Sequence, residues 1–436
     1  MAPVAPQRPS SLPPAPGSDS RYTFFPLALG VLTTIFFMWG FLTSLNDILI
    51  PHLKSIFQLN YAQAILVQFT FFGAYFLMAL PSGRLVAALG YKKGIVAGLA
   101  IAGIGAAGFW PAAGLHSYEA FLGALFVLAT GITVLQVAAN PYVALLGPEK
   151  TSSSRLTLAQ ALNSLGTTLA PLFGGLLILS NVVKSPEEVA KLPQAEMLTY
   201  QAQQASAVQL PYIGLAVVLF LLALFVWLFR LPKLEETDEQ TDSTKHTLME
   251  ALRHPHVLFG VLGIFFYVGA EVAIGSFLVN YLAMPEIGRM SEQEATHYVS
   301  LYWGGAMVGR FIGSALMAKI SPRKLLSAFA AVNVLLVLTT MFTHGDMAVY
   351  SIVAIGLFNS IMFPTIFSLG IERLGSLTSK ASALLIMAIV GGALIPQLQG
   401  VIADHIGLQH AFFLPLLCYA YIVFYGLSGS KVRTVK

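Results

Sequence analysis

The sequence predicts an all-α membrane protein, with twelve transmembrane helices arranged as two pseudo-symmetric six-helix halves. Three observations predict it. Only 10% of the 436 residues are charged and 56% are hydrophobic, against roughly 25% charged in soluble domains. That leaves too little polar surface to coat a water-soluble globule. Apolar runs close to the about 20 residues that a bilayer core demands recur along the chain, six on either side of the polar segment "KLEETDEQTDSTKHTLMEALRHP" (233–255). The basic residues fall almost entirely on one side of the layout those runs define.

In order, residues 1–22 are rich in Pro and Ser and read as a disordered cytoplasmic tail, too polar for a signal peptide. The first half occupies 23–231, with runs at roughly 24–50, 61–82, 94–113, 120–145, 157–180 and 210–230. Residues 181–207 read as an external loop with a possible short surface helix, and 232–255 as a cytoplasmic linker. The second half occupies 256–430, with runs at roughly 257–282, 297–320, 324–343, 347–371, 382–403 and 410–429, before a cytoplasmic tail at 431–436. With the N-terminus placed in the cytoplasm, only Lys54, Lys184, Lys191 and Arg289 of the 24 Lys and Arg residues fall outside, and Arg310 falls within a span. The other nineteen lie on the cytoplasmic side. The positive-inside rule then puts both termini and the linker there.

The halves echo each other. "SGRLVAALGYKKG" follows the second span and "GSALMAKISPRKL" the eighth. Asn140-Pro141 in span 4 is matched by Phe363-Pro364 in span 10, and Ala170-Pro171 in span 5 by Ile395-Pro396 in span 11. A Pro inside a helix removes a hydrogen bond, which membrane proteins tolerate where neighbours re-satisfy the freed carbonyl. Matched interruptions in two six-helix halves fit a transporter that rocks about a site between them.

Several chemistries are excluded. "GIGAAG" (103–108) matches a dinucleotide fingerprint but lies inside an apolar helix rather than between strand and helix, so close helix packing is expected there. There is no Gly-Lys-Ser/Thr phosphate loop. "HPH" (254–256) lacks further metal ligands nearby. No catalytic triad or nucleic-acid surface is visible, the lone Cys418 allows no intrachain disulfide, and no cofactor is expected. The chain does not read as an enzyme.

What remains is polarity inside the membrane, which is expensive and therefore concentrated where it is needed. Of the 20 acidic residues only Asp47, in "TSLNDILIP", and Glu271, in "YVGAEVAIGSFLVNYL", fall on spans away from clear helix ends. Hydropathy leaves Asp47 equally placed at a helix end or buried. Glu271 sits halfway along span 7, as a cation carrier, a substrate ligand or a structural carboxyl. Arg310 either pairs with a carboxylate or braces carbonyl groups. Thr133, Gln136 and Asn140 recur at i, i+3 and i+7 on one face of span 4, and Gln160 and Asn163 share a face of span 5. Asn46, Gln68, Asn280, Asn359 and Gln397 add amides; Gln397 and Gln399, two apart, face different ways. Trp303, Trp39 and Tyr267 add flat apolar surfaces. Amides offer one acceptor and two donors, which suits vicinal hydroxyls, so the set points to a neutral polyhydroxyl ligand. A multidrug or amphiphile exporter and a membrane sugar sensor are the competing readings.

The two-halved plan with "GRLVAALGYKK" resembles the major facilitator superfamily, although Ala87 stands where that motif's usual Asp falls. More closely, "SLNDILIP", "FWPAA", "AANPYVALLGPE", "RLTLAQALNSLG", "YVGAEVAIGSFLVNYL" and "PTIFSLGIERLG" resemble the fucose–galactose–proton symporter family over about residues 22–430. The segments around Glu271 and "GLFNSIMFPT" are similar to its glucose/galactose branch. The resemblance implies the major facilitator fold and sugar uptake across a bacterial inner membrane by a monomer, driven by a cation gradient, with proton as the coupling ion and sodium as the alternative. It implies a neutral hexose such as glucose or galactose, N-acetylglucosamine being another candidate. It places Asp47 at the central cavity as the coupling acid, with Gln160 and Asn163 facing the sugar. The fucose branch carries a glutamate where this chain has Gln136 and a neutral residue where it has Glu271, so one carboxylate has moved between halves.

Overall fold

The computed structural model describes residues 26–57, 61–115, 117–177, 193–232 and 247–433; within these, the side chains of 45–57, 61–65, 171–177, 201–208 and a few isolated positions lie outside the description. The first half contains α1 (Pro26–Phe57), α2 (Tyr61–Leu89), α3 (Tyr91–Leu115), α4 (Tyr118–Leu145), α5 (Ser152–Leu177) and α6 (Gln194–Leu228). The second contains α7 (Pro255–Leu282), α8 (Glu292–Met317), α9 (Pro322–Phe342), α10 (Gly345–Gly370), α11 (Gly375–Ile406) and α12 (Leu408–Gly429). A single helical turn, Leu248–Leu252, precedes α7.

Among the described residues, ten of the twelve are long and apolar enough to cross a membrane by length and composition alone; α5 and α8 are the exceptions. They also form one of the two helix pairs that face each other across the seam, where Gln160, Ser164 and Arg310 supply their polarity. Helix pairing repeats between halves. In the first, α1 packs on α5, α2 on α4, and α3 on α4 and α6; in the second, α7 packs on α11, α8 on α10, and α9 on α10 and α12. Across the seam α2 meets α11 and α5 meets α8, the same pair twice under that symmetry.

Small residues set these approaches. A Cβ on Gly40 of α1 would fall 2.0 Å from the Asn163 carbonyl, and one on Gly391 of α11 would fall 2.1 Å from the Phe265 carbonyl of α7. The equivalent helix pairs therefore use glycine to bring backbones together. The "GIGAAG" stretch does the same within one half, Gly105 lying against the Leu128 backbone of α4.

Some boundaries differ from expectation. α1 continues through Pro51 to Phe57, so that proline does not end the span. α6 starts at Gln194 rather than near 210, converting much of the expected outer loop into helix; residues 178–192 lie outside the described residues, as do 1–25, 233–246 and 434–436.

The prolines behave unequally. α4 stays continuous through Pro141, whereas α10 is interrupted at Ser360–Ile361, before Pro364, and α11 passes through a 3-10 turn at Ala388–Val390, before Pro396. The freed carbonyls find partners from neighbouring helices. Pro141 frees the Val137 carbonyl, which accepts from Ser382 Oγ of α11 at 3.0 Å. Pro171 frees Thr167, which accepts from Ser44 Oγ of α1 at 3.0 Å. Pro364 frees Ser360, which accepts from Arg310 Nε at 3.2 Å. Each pairing answers the cost of an interrupted helix inside a membrane.

Arg155, at the start of α5, closes the end of α4. Its guanidinium donates to the carbonyls of Val143 (3.3 Å), Ala144 (2.6 Å), Gly147 (3.2 Å) and Pro148 (2.9 Å) and to Thr151 Oγ1. These include terminal carbonyls that a helix cannot satisfy itself.

Candidate functional site

The seam between the halves is closed at the end where α1 begins and α12 finishes. There Ser153 and Ser368 share a hydrogen bond of 2.7 Å, Ser154 Oγ donates to the Ser314 carbonyl at 2.8 Å, and Arg373 pairs with Glu149 at 3.2 Å. Further along, Arg310 NH1 donates to Ser164 Oγ and, at 3.4 Å, to the Gln160 carbonyl. One turn beyond, Thr168 Oγ1 approaches Met307 Sδ at 3.6 Å. The next residue on that face of α8, Trp303, is 42% exposed. Gln68 behaves likewise: it is exposed, two turns beyond buried Tyr75 on the same face of α2. Among the described residues the hydrogen bonds between the halves thus concentrate toward one end, and Gln68 and Trp303 continue the same helix faces beyond them as exposed side chains.

In the first half, Gln136 Nε2 of α4 donates to the Tyr75 hydroxyl of α2 at 2.6 Å, and the Trp39 side chain of α1 bonds the same hydroxyl. Asn163 Nδ2 donates to the Phe36 carbonyl at 2.9 Å. Four buried amide atoms have no protein partner: Gln136 Oε1, Asn140 Nδ2 and Oδ1, and Gln160 Nε2. Burying an amide without a partner costs about 1–3 kcal/mol per group, so such a cluster marks a place where a ligand or water completes the bonding. Thr133 differs from its neighbours on that face, since its hydroxyl donates to its own helix at Ala129, 2.8 Å away.

The second half is organised around Asn359, which is fully buried. Its Oδ1 accepts from Asn333 Nδ2 (2.8 Å) and the Tyr419 hydroxyl (2.7 Å), and its Nδ2 donates to the Tyr302 hydroxyl (2.8 Å). Tyr302 in turn donates to the Glu271 carbonyl at 3.2 Å, and the Tyr267 hydroxyl donates to the Asn359 carbonyl at 3.1 Å. One residue therefore joins α7, α8, α9, α10 and α12. The Asn359 amide oxygen is saturated and Tyr267 is fully buried, so these two residues hold the half together rather than face a ligand, which revises their sequence-based assignment. Glu271 is placed differently: its Oε1 is buried without a partner, and the Tyr267 hydroxyl and the Arg310 guanidinium are the groups that act on its carboxyl.

Two other expected ligands are displaced. Gln397 is exposed beside the outward stripe of Leu394, Leu398 and Val401 on α11, whereas Gln399 is fully buried with both amide atoms unpartnered. Gln399 shares its side of the helix with Gly392, which lies against Phe72 and Val268, so it replaces Gln397 as the interior amide. Asn280 is exposed and nine residues from Glu271, a spacing of half a turn out of phase, so the two do not meet. Asn46 and Asp47 lie on the helical stretch of α1 within one turn after Ser44; their side chains lie outside the described residues. Arg310 braces carbonyls, one of the two expectations for it. Sequence reasoning missed Tyr75, Tyr302, Tyr419 and Asn333; of these only Tyr75 carried a signal, standing seven residues after Gln68.

Residues 29–396 match the model of the Major Facilitator Superfamily. The chain is 53% identical over 414 residues to the glucose/galactose transporter of Brucella abortus, covering 95% of this chain and 96% of that one. It is 37% identical over 421 residues to the L-fucose-proton symporter of Escherichia coli, covering 95% of each. Among solved structures, a Major Facilitator Superfamily transporter, FucP, in the outward conformation superposes with a TM-score of 0.85 at 35% identity, covering 93% of this chain and 99% of that one. These relatives are transporters, not enzymes. With a match to the family model over residues 29–396, a 53% identical relative covered almost end to end and two halves that repeat one helix pairing, this multi-pass membrane protein belongs to the Major Facilitator Superfamily.

Proposed function

We propose that the chain is a cation-coupled symporter that imports a neutral hexose, glucose or galactose, by alternating access, with the proton as coupling ion. The observation that carries the reading is the set of buried, unpartnered amide atoms on Gln136, Asn140 and Gln160, lying above a seam closed at the end where α1 begins and α12 finishes. Neutral amides complement vicinal hydroxyls without demanding a charged ligand. The printed names of the relatives, a glucose/galactose transporter and a fucose-proton symporter, support the same class.

In this reading the cavity faces the outside, and both termini sit in the cytoplasm beneath a bacterial inner membrane, as the basic residues direct. The protein acts as a monomer, both halves of the site coming from one chain. Sugar is held by Gln68, Gln136, Asn140, Gln160, Asn163 and Gln399, with Trp303 covering a C–H face of the ring. Asp47 and Glu271 carry the coupling charge, one in each half. A carboxylate left ionised would be desolvated on closure, so the proton must load before the halves rock.

The test is uptake of labelled D-galactose and D-glucose into proteoliposomes with an inward proton gradient and no sodium. Accumulation that a protonophore collapses is expected. Accumulation that needs sodium instead would replace the proton, and a panel including N-acetylglucosamine and hydrophobic cations separates a different sugar or an exporter. No movement of any sugar would overturn the reading.

A further inference from the structure

Arg310 bonds both halves at once. Its Nε is anchored in its own half on the Ser360 carbonyl that Pro364 frees, while NH1 reaches Ser164 and the Gln160 carbonyl on α5 of the other half. Glu271, also in its own half, presents a buried Oε1 with no partner, one helical turn from Tyr267, whose hydroxyl donates to the Asn359 carbonyl beside the Ser360 carbonyl that holds Arg310.

We propose that Arg310 is a positioning residue that ties the protonation of Glu271 to the state of the seam: while the seam is closed α5 holds its guanidinium, and when the seam opens the guanidinium turns to the Glu271 carboxylate. The inference rests on reading Glu271 as a coupling acid. When the halves rock as bodies, Ser360, Arg310 and Glu271 keep their spacing, whereas Ser164 and Gln160 withdraw. A guanidinium has five donors and no acceptor, and a buried cation without partners is strongly disfavoured. The acidic group it then finds in its own half is Glu271.

The consequence has the sense that symport requires. With the seam closed, no described group donates to Oε1, which in this scheme favours a carboxyl that holds a proton taken from the open side. With the seam open, the guanidinium stabilises the ionised form and the proton leaves on the other side. Proton binding and seam closure therefore favour each other. The other groups acting on this carboxyl are hydroxyls: Tyr267 from α7, Tyr302 from α8 and Tyr419 from α12. Arg310 is the only charged group acting on it among the described residues. Pro364 matters because it exposes the Ser360 carbonyl and so gives Arg310 one fixed end and one movable end.

The test needs no sugar, which separates it from the hexose reading. Spin labels at Lys150→Cys and Lys319→Cys, both exposed at the seam end, report its opening in a Cys418→Ala, Asp47→Asn background, where Glu271 is the coupling carboxylate that remains. Raising the pH from about 5.5 to 8.5 is expected to shift the open-to-closed ratio about tenfold toward open, a tenfold difference in proton affinity giving that change by linkage. Arg310→Gln and Glu271→Gln should each abolish the response, and Arg310→Lys should keep part of it. Ser164→Ala, which leaves Arg310 in place, should raise the open fraction most at high pH, and serves if Arg310→Gln does not fold. A flat response in the background protein, or an unchanged response in Arg310→Gln or Ser164→Ala, would overturn the proposal.

Discussion

Replacing Asn359 by Ala distinguishes a structural hub from a sugar ligand. The substitution removes three hydrogen bonds, to Tyr302, Asn333 and Tyr419, from a site with no exposure. Interhelical hydrogen bonds in membrane proteins average about 0.6 kcal/mol and reach about 1.7, so their loss costs about 2–5 kcal/mol. At roughly 2 °C per kcal/mol for a large chain, the melting temperature in detergent should fall by about 4–10 °C without any sugar present. Tyr419→Phe removes one of the three bonds and should cost about a third as much. Thermal unfolding followed by intrinsic fluorescence measures both. An unchanged melting temperature together with weakened galactose binding would refute the hub and return Asn359 to the ligand set.

Three further outcomes are expected. Ser382→Ala leaves the Val137 carbonyl that Pro141 frees without its cross-seam donor; a loss of about 1 kcal/mol should raise the open-seam fraction about fivefold in the spin-label distance measurement. Arg155→Lys should not preserve folded yield, because an ammonium has three donors against the guanidinium's five and cannot span the carbonyls from Val143 to Pro148; size-exclusion profiles of detergent extracts report it. Gln399→Leu should weaken galactose binding about three- to tenfold, the worth of one lost hydrogen bond, while Gln397→Leu should leave it unchanged by calorimetry.

The spans were legible because a bilayer imposes a minimum apolar length, and hydropathy reports that length directly. It does not report helix that continues beyond the apolar core, which is why α1 beyond Pro51 and α6 before residue 210 were missed. The prolines were visible, but their outcomes were not: whether the chain breaks depends on which neighbour reaches the freed carbonyl, and for Val137 that neighbour is Ser382, in the other half. The face of α4 was readable from a three- and four-residue spacing that needs one helix only. The hub at Asn359 was not, since it draws partners from four other helices. Gln397 and Gln399 could have been separated by phase, because Leu394, Leu398 and Val401 mark the outward stripe of α11.

The most direct test of coupling is sugar movement in proteoliposomes containing Asp47→Asn or Glu271→Gln. Galactose-for-galactose exchange should persist in both variants, since the amide site and the rocking halves remain, while accumulation driven by a proton gradient should be lost. Full gradient-driven accumulation by both variants would contradict the account.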